Sequence, residues 1–513
     1  MAFFRRNACA MAVAALLVLS AASTALGAQP AQRDSGFRNA QDVREMVREW
    51  PGAKNLSHYQ LDLTLDPENK TLQGTLDFTY VNAEDGPMSQ LHFLLYANSY
   101  RRQEYGIFAA NEMAKAYPNG FSSGYTEVSS VFCENRPAQW AITGEQDQVL
   151  MVKLDQPVQP GQSARVRIGY TVTVPNCYGR FGYGEHTMSL VNCYPVLAVY
   201  DQGQWYDYRY YPVGDPFYSE VADYDATIRA PREWTLAATG ALTRHSAGRD
   251  ALWKVHAPAR RDFGFCASDR FTVSEGTVDG ITVRSYSWQQ GGDGGALTTA
   301  MESLALFNQT YGPYPYGEFS VVQADFFIGG MEYPGMVLID GTLYAPSLTN
   351  DVVRDLVVSH ETAHQWWYGV VGGDEVQNPW LDEGLTEFST QYFFQQKRSE
   401  RYNRLYDSQK DILLQARQDT QMQSGNGAPT ARTPVYGFAD NTAYSAWVYD
   451  RTAAVLQQLR GEIGEDAFFA ALRGYYEQSK LSVATADDLL GAFRRVSGQD
   501  WKDWFARRLA SAE

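Results

Sequence analysis

The spacing of apolar residues changes once along this chain, and the change separates two kinds of structure. Over residues 56–253 apolar side chains recur at every second position, as in residues 59–65. Short alternating runs that end at Gly, Pro or Asn are typical of antiparallel strands with one buried face. After Asn350 the spacing becomes helical. We therefore predict an α+β multidomain fold, with an N-terminal β domain over residues 38–255 and an α+β domain over residues 256–513.

The second region begins with short strands and continues almost entirely as helices. The predicted strands are 261–273, 281–288, 319–327 and an edge segment over 330–339. The predicted helices are 296–311, one capped at Asn350 or Asp351, 380–396, 400–417, 446–461, 467–479 and 485–496, with a Gly/Pro-rich loop over 425–436.

Residues 1–28 have the pattern of a signal peptide. Arg5 and Arg6 precede the apolar run 8–19, and residues 25–27 form a small-residue cleavage site. The alternative is an uncleaved anchor, because the apolar run nearly reaches the length of a membrane span. No later segment has the ~18 uninterrupted apolar residues that a span requires. We expect a secreted or periplasmic protein without a membrane span after signal removal.

Composition excludes several classes of protein. With 44% apolar residues in 513, the chain can bury a large core and does not resemble a disordered protein. Its 43 basic and 59 acidic residues give a net charge of −16. Nucleic acids and anionic lipids bind basic surfaces, so we expect neither as a partner.

Four cysteines follow the predicted signal peptide, at positions 133, 177, 193 and 266. Export would permit disulfides, and four cysteines allow three pairings that the sequence does not separate. Cys177 and Cys193 are the nearest pair and flank a glycine-rich stretch, so we expect that pair first. Cys133 and Cys266 are equally well explained as small buried residues.

Two of only seven histidines stand four residues apart, in His360-Glu361-Thr362-Ala363-His364. Positions i and i+4 lie on one helical face, so both imidazoles can bind one Zn²⁺. The intervening Glu361 does not bind the metal, and it can take a proton from a zinc-activated water.

Glu383 follows His364 after eighteen residues, at the start of the next apolar helix. Two antiparallel helices would bring this carboxylate beside the imidazoles. Two histidines and a glutamate form the three-ligand set of catalytic zinc sites, whereas structural sites usually hold four Cys or His ligands. We predict one zinc ion per chain, bound by His360, His364 and Glu383.

With these motifs the chain resembles the aminopeptidase N family of gluzincin metallopeptidases, whose members carry HExxH, eighteen residues and then Glu in a W-L-x-E-G segment. The resemblance extends over essentially the whole mature chain. It implies an N-terminal β-saddle domain and a thermolysin-like catalytic domain. It also indicates a short two-domain form, because the sequence stops where large members continue into a C-terminal helical domain.

The resemblance also implies a substrate-binding segment, G-x-M-E-N in typical members. It corresponds to Gly329, Gly330, Met331 and Glu332, with Tyr333 in place of Asn. Glu332 would bind the α-ammonium group of the substrate, and the glycine-rich strand edge would hold its backbone. The family also uses a polar residue of the β domain near the amine, and Asn192 is the nearest candidate.

A tyrosine some sixty residues past the third ligand completes the resemblance. Val448-Tyr449-Asp450-Arg451 matches the family's stretch, and Tyr449 would donate a hydrogen bond to the oxyanion. Tyr444 is the rival, and either tyrosine could be a packing residue.

Together these features predict an exported zinc aminopeptidase that hydrolyses the N-terminal peptide bond of peptides with a free N-terminus. Glu361 is the expected general base. A zinc endopeptidase and a catalytically silent peptide-binding protein are the alternatives.

Overall fold

Alternating burial produces the strands of the first half of the chain. In β1 (His58–Asp66) the side chains of Tyr59, Leu61, Leu63 and Leu65 are buried and their neighbours face outward. This computed structural model describes residues 46–53, 56–289, 292–397, 402 and 428–511. The predicted signal peptide lies outside these residues. So do the predicted helix 400–417, apart from Tyr402, and the start of the predicted loop 425–436.

The described strands of the first half follow one another with short connections. They are β1, β2 (Thr71–Val81), β3 (Met88–Leu94), β4 (Tyr125–Cys133), β5 (Arg136–Pro137), β6 (Gln139–Thr143), β7 (Val149–Val158), β8 (Ser163–Thr173), β9 (Phe181–Tyr183), β10 (Met188–Val191), β11 (Val196–Leu197), β12 (Tyr200–Asp201), β13 (Gln204–Trp205), β14 (Ala222–Pro231), β15 (Thr235–Ala238), β16 (Ala241–Ala247), β17 (Asp250–Arg260) and β18 (Gly264–Ser268).

These strands form one large sheet, two smaller sheets and a hairpin. The eight-stranded sheet has the order β16-β17-β14-β1-β2-β8-β4-β5, and the smaller sheets have the orders β15-β18-β10-β9 and β11-β3-β7-β6. Pairing is antiparallel except between β1 and β14, which run parallel. The mostly β N-terminal domain predicted from the sequence is therefore confirmed. The predicted boundary at residue 255/256 stays a prediction, and β18 joins a sheet of the β-rich half.

The second half contains a five-stranded sheet, an arrangement of helices and one π-helical segment. The strands are β19 (Thr272–Val278), β20 (Ile281–Ser287), β21 (Glu318–Ala324), β22 (Gly330–Met331) and β23 (Met336–Asp340). After α1 (Met113–Ala116) of the first half, the helices are α2 (Ala296–Thr310), α3 (Leu348–Ala363), α4 (Glu383–Gln396), α5 (Asn441–Tyr444), α6 (Thr452–Ile463), α7 (Glu465–Ser479), α8 (Ala486–Ser497) and α9 (Lys502–Leu509), with a π-helix over Ser445–Arg451 between α5 and α6.

The five-stranded sheet places its edge beside the helix of the histidine motif. Its order is β19-β20-β21-β23-β22; the central pairs are parallel, and β22 pairs antiparallel with β23 at the edge. Helix α3 and strand β22 are in direct contact. The α+β catalytic architecture predicted from the sequence is confirmed.

Two local predictions were wrong. Helix α3 is capped by Ser347, whose hydroxyl accepts a hydrogen bond from the Asn350 backbone, so neither Asn350 nor Asp351 is the cap. The four cysteines are all buried and free, so the expected pair Cys177–Cys193 is not formed. None of the described helices is long and apolar enough to span a membrane.

Candidate metal centre and active site

Helix α3 presents His360 and His364 on its buried side. Both side chains lie near its C-terminal end, where the His364 amide donates to the His360 carbonyl at 3.2 Å. Ser359 and Thr362 on the same turn are fully buried, so this end of the helix lies inside the molecule. The i, i+4 spacing thus brings the two imidazoles together in the solvent-excluded interior.

Glu383 is the first residue of α4, and its position depends on the glycine that follows it. A Cβ added to Gly384 would lie 2.2 Å from the Thr452 methyl carbon of α6. Only glycine permits this approach between the first turn of α4 and the helix that follows Tyr449. In the Glu383-Gly384 pair, Glu383 is the predicted ligand, and Gly384 permits the close helix contact that positions it.

The three predicted ligands meet in a small triangle. His360 Nε2 and His364 Nε2 are 3.2 Å apart, and each lies 3.2 Å from Glu383 Oε2. Tetrahedral zinc with bonds of about 2.0–2.1 Å requires ligand atoms separated by about 3.3 Å. The donor set and its spacing therefore fit zinc in a catalytic, three-ligand site.

Both imidazoles are oriented by carboxylates on the side away from the triangle. His364 Nδ1 lies 2.7 Å from Asp382 Oδ1, and His360 Nδ1 lies 3.4 Å from Glu387 Oε2. When Nδ1 carries the proton and donates it to a carboxylate, Nε2 keeps its lone pair for a metal. Sequence reasoning missed both carboxylates, although they flank Glu383 at positions −1 and +4.

Glu361 lies against the substrate-binding strand. A Cβ on Gly330 would come within 2.2 Å of Glu361 Oε1, so only glycine at this position leaves room for the carboxylate. Burial raises the pKa of Glu361 to about 7, although His360 and His364 act to lower it. A carboxylate with a pKa near neutrality is suited to accept and return a proton.

Glu332 is a buried carboxylate beside the ligand triangle. Its carboxylate, a His364 nitrogen and an Asp382 oxygen all lie within 4.8 Å of one another. Its Oε1 is buried without a hydrogen-bond partner among the described residues. Burial, followed by the negative charge of Asp215, raises its pKa well above the ordinary range. An unpaired buried carboxylate of this kind is costly unless a cation binds it.

The backbone around Glu332 is held by Gln365, a residue the sequence analysis did not single out. The Gln365 side chain accepts from the Gly335 amide at 2.7 Å and donates to the carbonyls of Glu332 and Tyr333 at 3.4 Å. Tyr333 points into the interior, where its ring lies 6.1 Å from that of Phe217. The departure from Asn at this position therefore adds packing behind the strand.

Tyr449 lies at the triangle and Tyr444 lies behind it. The Tyr449 hydroxyl donates to Glu383 Oε1, and its ring stacks on His360 with centroids 5.7 Å apart. Tyr444 packs against Gly214, whose missing Cβ would lie 3.0 Å from the phenol oxygen. Of the two rivals, the structure brings Tyr449 to the ligands.

The β-rich half contributes Asp215 to this site in place of the expected Asn192. Asp215 interacts electrostatically with Glu332 and Glu383. Asn192 instead lies beside Asp262, with its backbone N–H donating to the Phe263 carbonyl at 3.2 Å. The sequence carried no signal for Asp215, because its position depends on how a loop of the first half folds.

Comparisons with known proteins find similar peptidases and similar structures. Residues 295–507 match the family described as "Peptidase family M1 domain". Aminopeptidase M1-B of Oryza sativa subsp. japonica is 28% identical over 243 residues, which are 45% of this chain and 27% of that protein. The chain thus spans about a quarter of the length of the curated relatives that it matches.

Solved structures show the same overall architecture. The M1 zinc metallopeptidase from Deinococcus radiodurans superposes with a TM-score of 0.63 at 17% identity, covering 90% of this chain and 94% of that one. A two-domain M1 zinc metallopeptidase mutant bound to L-tryptophan superposes with a TM-score of 0.61 at 17% identity, covering 90% and 96%.

The fold is therefore that of two-domain zinc metallopeptidases, with a mostly β domain before an α+β catalytic domain. Within that class, residues 295–507 match the peptidase family M1 domain.

Proposed function

We propose that this chain is a zinc aminopeptidase that hydrolyses the first peptide bond of peptides with a free N-terminus. One zinc ion per chain would be held by His360, His364 and Glu383. The M1 domain and the spacing of the three ligand atoms support the metallopeptidase part of the proposal.

The observation that favours an aminopeptidase over an endopeptidase is the unpartnered oxygen of Glu332. It is buried beside the metal ligands, with Asp215 as a second carboxylate nearby. An α-ammonium group would compensate both charges and would stop the peptide chain one residue from the metal. An internal segment of a peptide offers no such cation.

The chemistry divides among a few side chains. Bound zinc would polarise the scissile carbonyl and lower the pKa of a water molecule. Glu361 would accept the proton of the attacking water and deliver it to the leaving amine. Tyr449 would turn its hydroxyl from Glu383 to the developing oxyanion and stabilise it with a hydrogen bond. Glu332 and the Gly329–Met331 backbone would hold the substrate in register.

The test compares one short peptide with a free and with an acetylated N-terminus. Wild-type protein should prefer the free amine, and Glu332→Gln should lose roughly 30- to 3,000-fold in kcat/KM on it, because a buried charge pair is broken. Mass spectrometry reads the cleavage position, and elemental analysis should find zinc retained.

Glu375→Gln is the matched control, since Glu375 is a buried carboxylate of the same cluster, also with one unpartnered oxygen, but does not belong to the metal-ligand groups. It should keep the preference for the free amine. Efficient internal cleavage of the acetylated peptide by wild type would make the protein an endopeptidase. Cleavage of neither peptide by zinc-loaded protein would favour the silent peptide-binding protein.

We also propose that the protein is exported, on the signal-like pattern of residues 1–28. Mass spectrometry of the protein expressed in a bacterial host with a periplasm should find a mature N-terminus near residue 28. An intact N-terminus in the cytoplasmic fraction would contradict export.

A further inference from the structure

One buried guanidinium touches three separate segments behind the amine site. Arg180 Nε donates to Met331 Sδ at 3.0 Å, Nη1 donates to the Tyr210 hydroxyl at 3.1 Å, and Nη2 donates to Asp215 Oδ1. Arg180 belongs to the β-rich half, whereas Met331, in the edge strand β22, immediately precedes Glu332. A single side chain thus contacts Asp215 directly and the residue next to Glu332.

The charges explain why an arginine stands here. Asp215 lies near Glu332 and Glu383, so three negative groups share a desolvated region. Among the described residues, Arg180 is the basic side chain that forms an ion pair with Asp215. Without it Asp215 would have to turn away, bind another cation or take up a proton, since unpaired buried charges are costly.

The contacts of Arg180 with Met331 and Tyr210 fix the positions of the segments that carry these two residues. A planar guanidinium with donors in fixed directions holds its partners in a defined arrangement that a flexible ammonium does not reproduce. The contact to Met331 acts on the residue next to Glu332, and the contact to Tyr210 anchors the segment before Asp215. Movement of the guanidinium would therefore displace both carboxylates together.

We propose that Arg180 is a positioning residue for substrate recognition, which orients Asp215 and the Met331–Glu332 segment so that both carboxylates bind one α-ammonium group. This inference rests on the proposed aminopeptidase function. It makes recognition of the free N-terminus a property of the contact between the two halves of the molecule rather than of Glu332 alone.

The test measures binding without turnover. Calorimetry on the zinc-loaded protein compares L-tryptophan with 3-indolepropionate, which has the same ring and carboxylate but no amine. Wild type should bind L-tryptophan more tightly. Arg180→Gln should weaken L-tryptophan roughly ten- to a hundredfold and leave 3-indolepropionate within about threefold, because only the amine contact is lost.

Two further variants separate positioning from general stability. Arg180→Lys keeps the positive charge but loses the planar set of guanidinium donors. Its L-tryptophan affinity should therefore lie between those of wild type and Arg180→Gln. Arg260→Gln removes another fully buried arginine, ion-paired to Glu318. It should lower the melting temperature while keeping the selectivity for the amine.

A double variant checks that the pair acts as a unit. Arg180→Gln with Asp215→Asn should lose no more L-tryptophan affinity than the weaker-binding single variant, since coupled residues are not additive. In peptide hydrolysis, Arg180→Gln should raise KM more than it lowers kcat.

Unchanged selectivity for the amine in Arg180→Gln, with zinc retained and a cooperative thermal transition, would overturn the proposal. If Arg180→Gln does not fold, unchanged selectivity in Arg180→Lys together with Asp215→Asn would overturn it as well. Wild type that binds both compounds equally would instead contradict the aminopeptidase function itself.

Discussion

Neighbouring glutamates in this site have different environments, and their roles differ accordingly. Glu383 places one oxygen 3.2 Å from both imidazole nitrogens, whereas Glu361 lies against Gly330 with its Oε2 unpartnered among the described residues. These environments fit the predicted roles of Glu383 as a metal ligand and Glu361 as a general base.

Glu361→Gln should therefore leave zinc in place and lower kcat roughly 10²–10⁴-fold, because the amide cannot accept a proton. Elemental analysis and peptide hydrolysis on the same sample give the two quantities. Loss of zinc together with activity would instead make Glu361 part of the metal site.

Tyr449→Phe removes the hydroxyl that lies at Glu383 while keeping the ring stacked on His360. We expect kcat to fall on the order of 10²–10³-fold with zinc retained, the usual effect of losing one oxyanion donor. Tyr444→Phe is the matched control, since that ring is buried behind the site, and it should change kcat less than about threefold. The reverse result would assign the role to Tyr444.

At the residue scale, the i, i+4 spacing predicted the two histidines, and the eighteen-residue spacing to the next helix added Glu383. Spacing could not predict Asp215 or Arg180, because both reach the site from segments distant in sequence. It could not predict the role of Gln365 either, because its contacts with the Glu332 and Tyr333 carbonyls form only in the folded chain. Nor could it exclude Asn192, whose polar side chain satisfied the family pattern but lies beside Asp262. Long-range packing decides such contacts, and a linear pattern does not contain it.

At the scale of elements, the start of α4 is fixed by its contact with α6. The apolar pattern predicted a helix from residue 380, yet residues Pro379–Leu381 form a 3-10 turn and the α-helix begins at Glu383. The π-helix before α6 was not predicted either, since a π-segment has no distinct apolar period. Both irregular pieces lie next to the predicted ligand Glu383 or contain Tyr449.

Gly384→Ala tests this contact. The added methyl would meet Thr452 at 2.2 Å, so the two helices must move apart, and we expect a loss of about 1–3 kcal/mol in the free energy of unfolding. Urea unfolding of the zinc-loaded protein measures it, and zinc should dissociate faster in the presence of a chelator.

Gly461→Ala is the control within the same helix pair, because nothing lies within 4 Å of its added Cβ. In a helix interior this change should be neutral or stabilising by roughly 0.4–1 kcal/mol. Equal changes in stability for both alanines would mean that the contact with Thr452 does not limit position 384.

At the scale of the whole molecule, the two-part architecture followed directly from the change of apolar period, and the contact between the parts did not. Asp262 lies in that contact region. It follows β17 and the buried Arg261, and the Ser219 hydroxyl donates to it at 3.3 Å. Burial raises the pKa of Asp262 to about 6, although Asn192 and Arg261 act to lower it.

This shift makes stability depend on pH with a definite sign. The folded protein binds the proton of Asp262 more tightly than the unfolded chain, whose aspartates titrate near pH ~3.9. The stabilising contribution is therefore complete below that pH and is lost as the pH rises through about 6.

Asp262→Asn removes this titration. Its free energy of unfolding, relative to wild type, should rise by about 2 kcal/mol between pH 4 and pH 7. Denaturant titrations at several pH values measure it. A constant difference for Asp262→Asn would contradict the pKa assignment.

The π-helix before α6 also constrains how the chain can vary in length. An α-helix turns by about 100° per residue, and a π-segment accommodates one more residue in each hydrogen-bonded turn. A deletion of one residue between Asn441 and Thr452 could let the segment rewind as ordinary helix, and Tyr449 would then rotate away from Glu383. A substitution in this segment changes one side chain and leaves the helical path of the backbone in place. A one-residue deletion would instead rotate Tyr449 relative to the predicted ligands His360, His364 and Glu383.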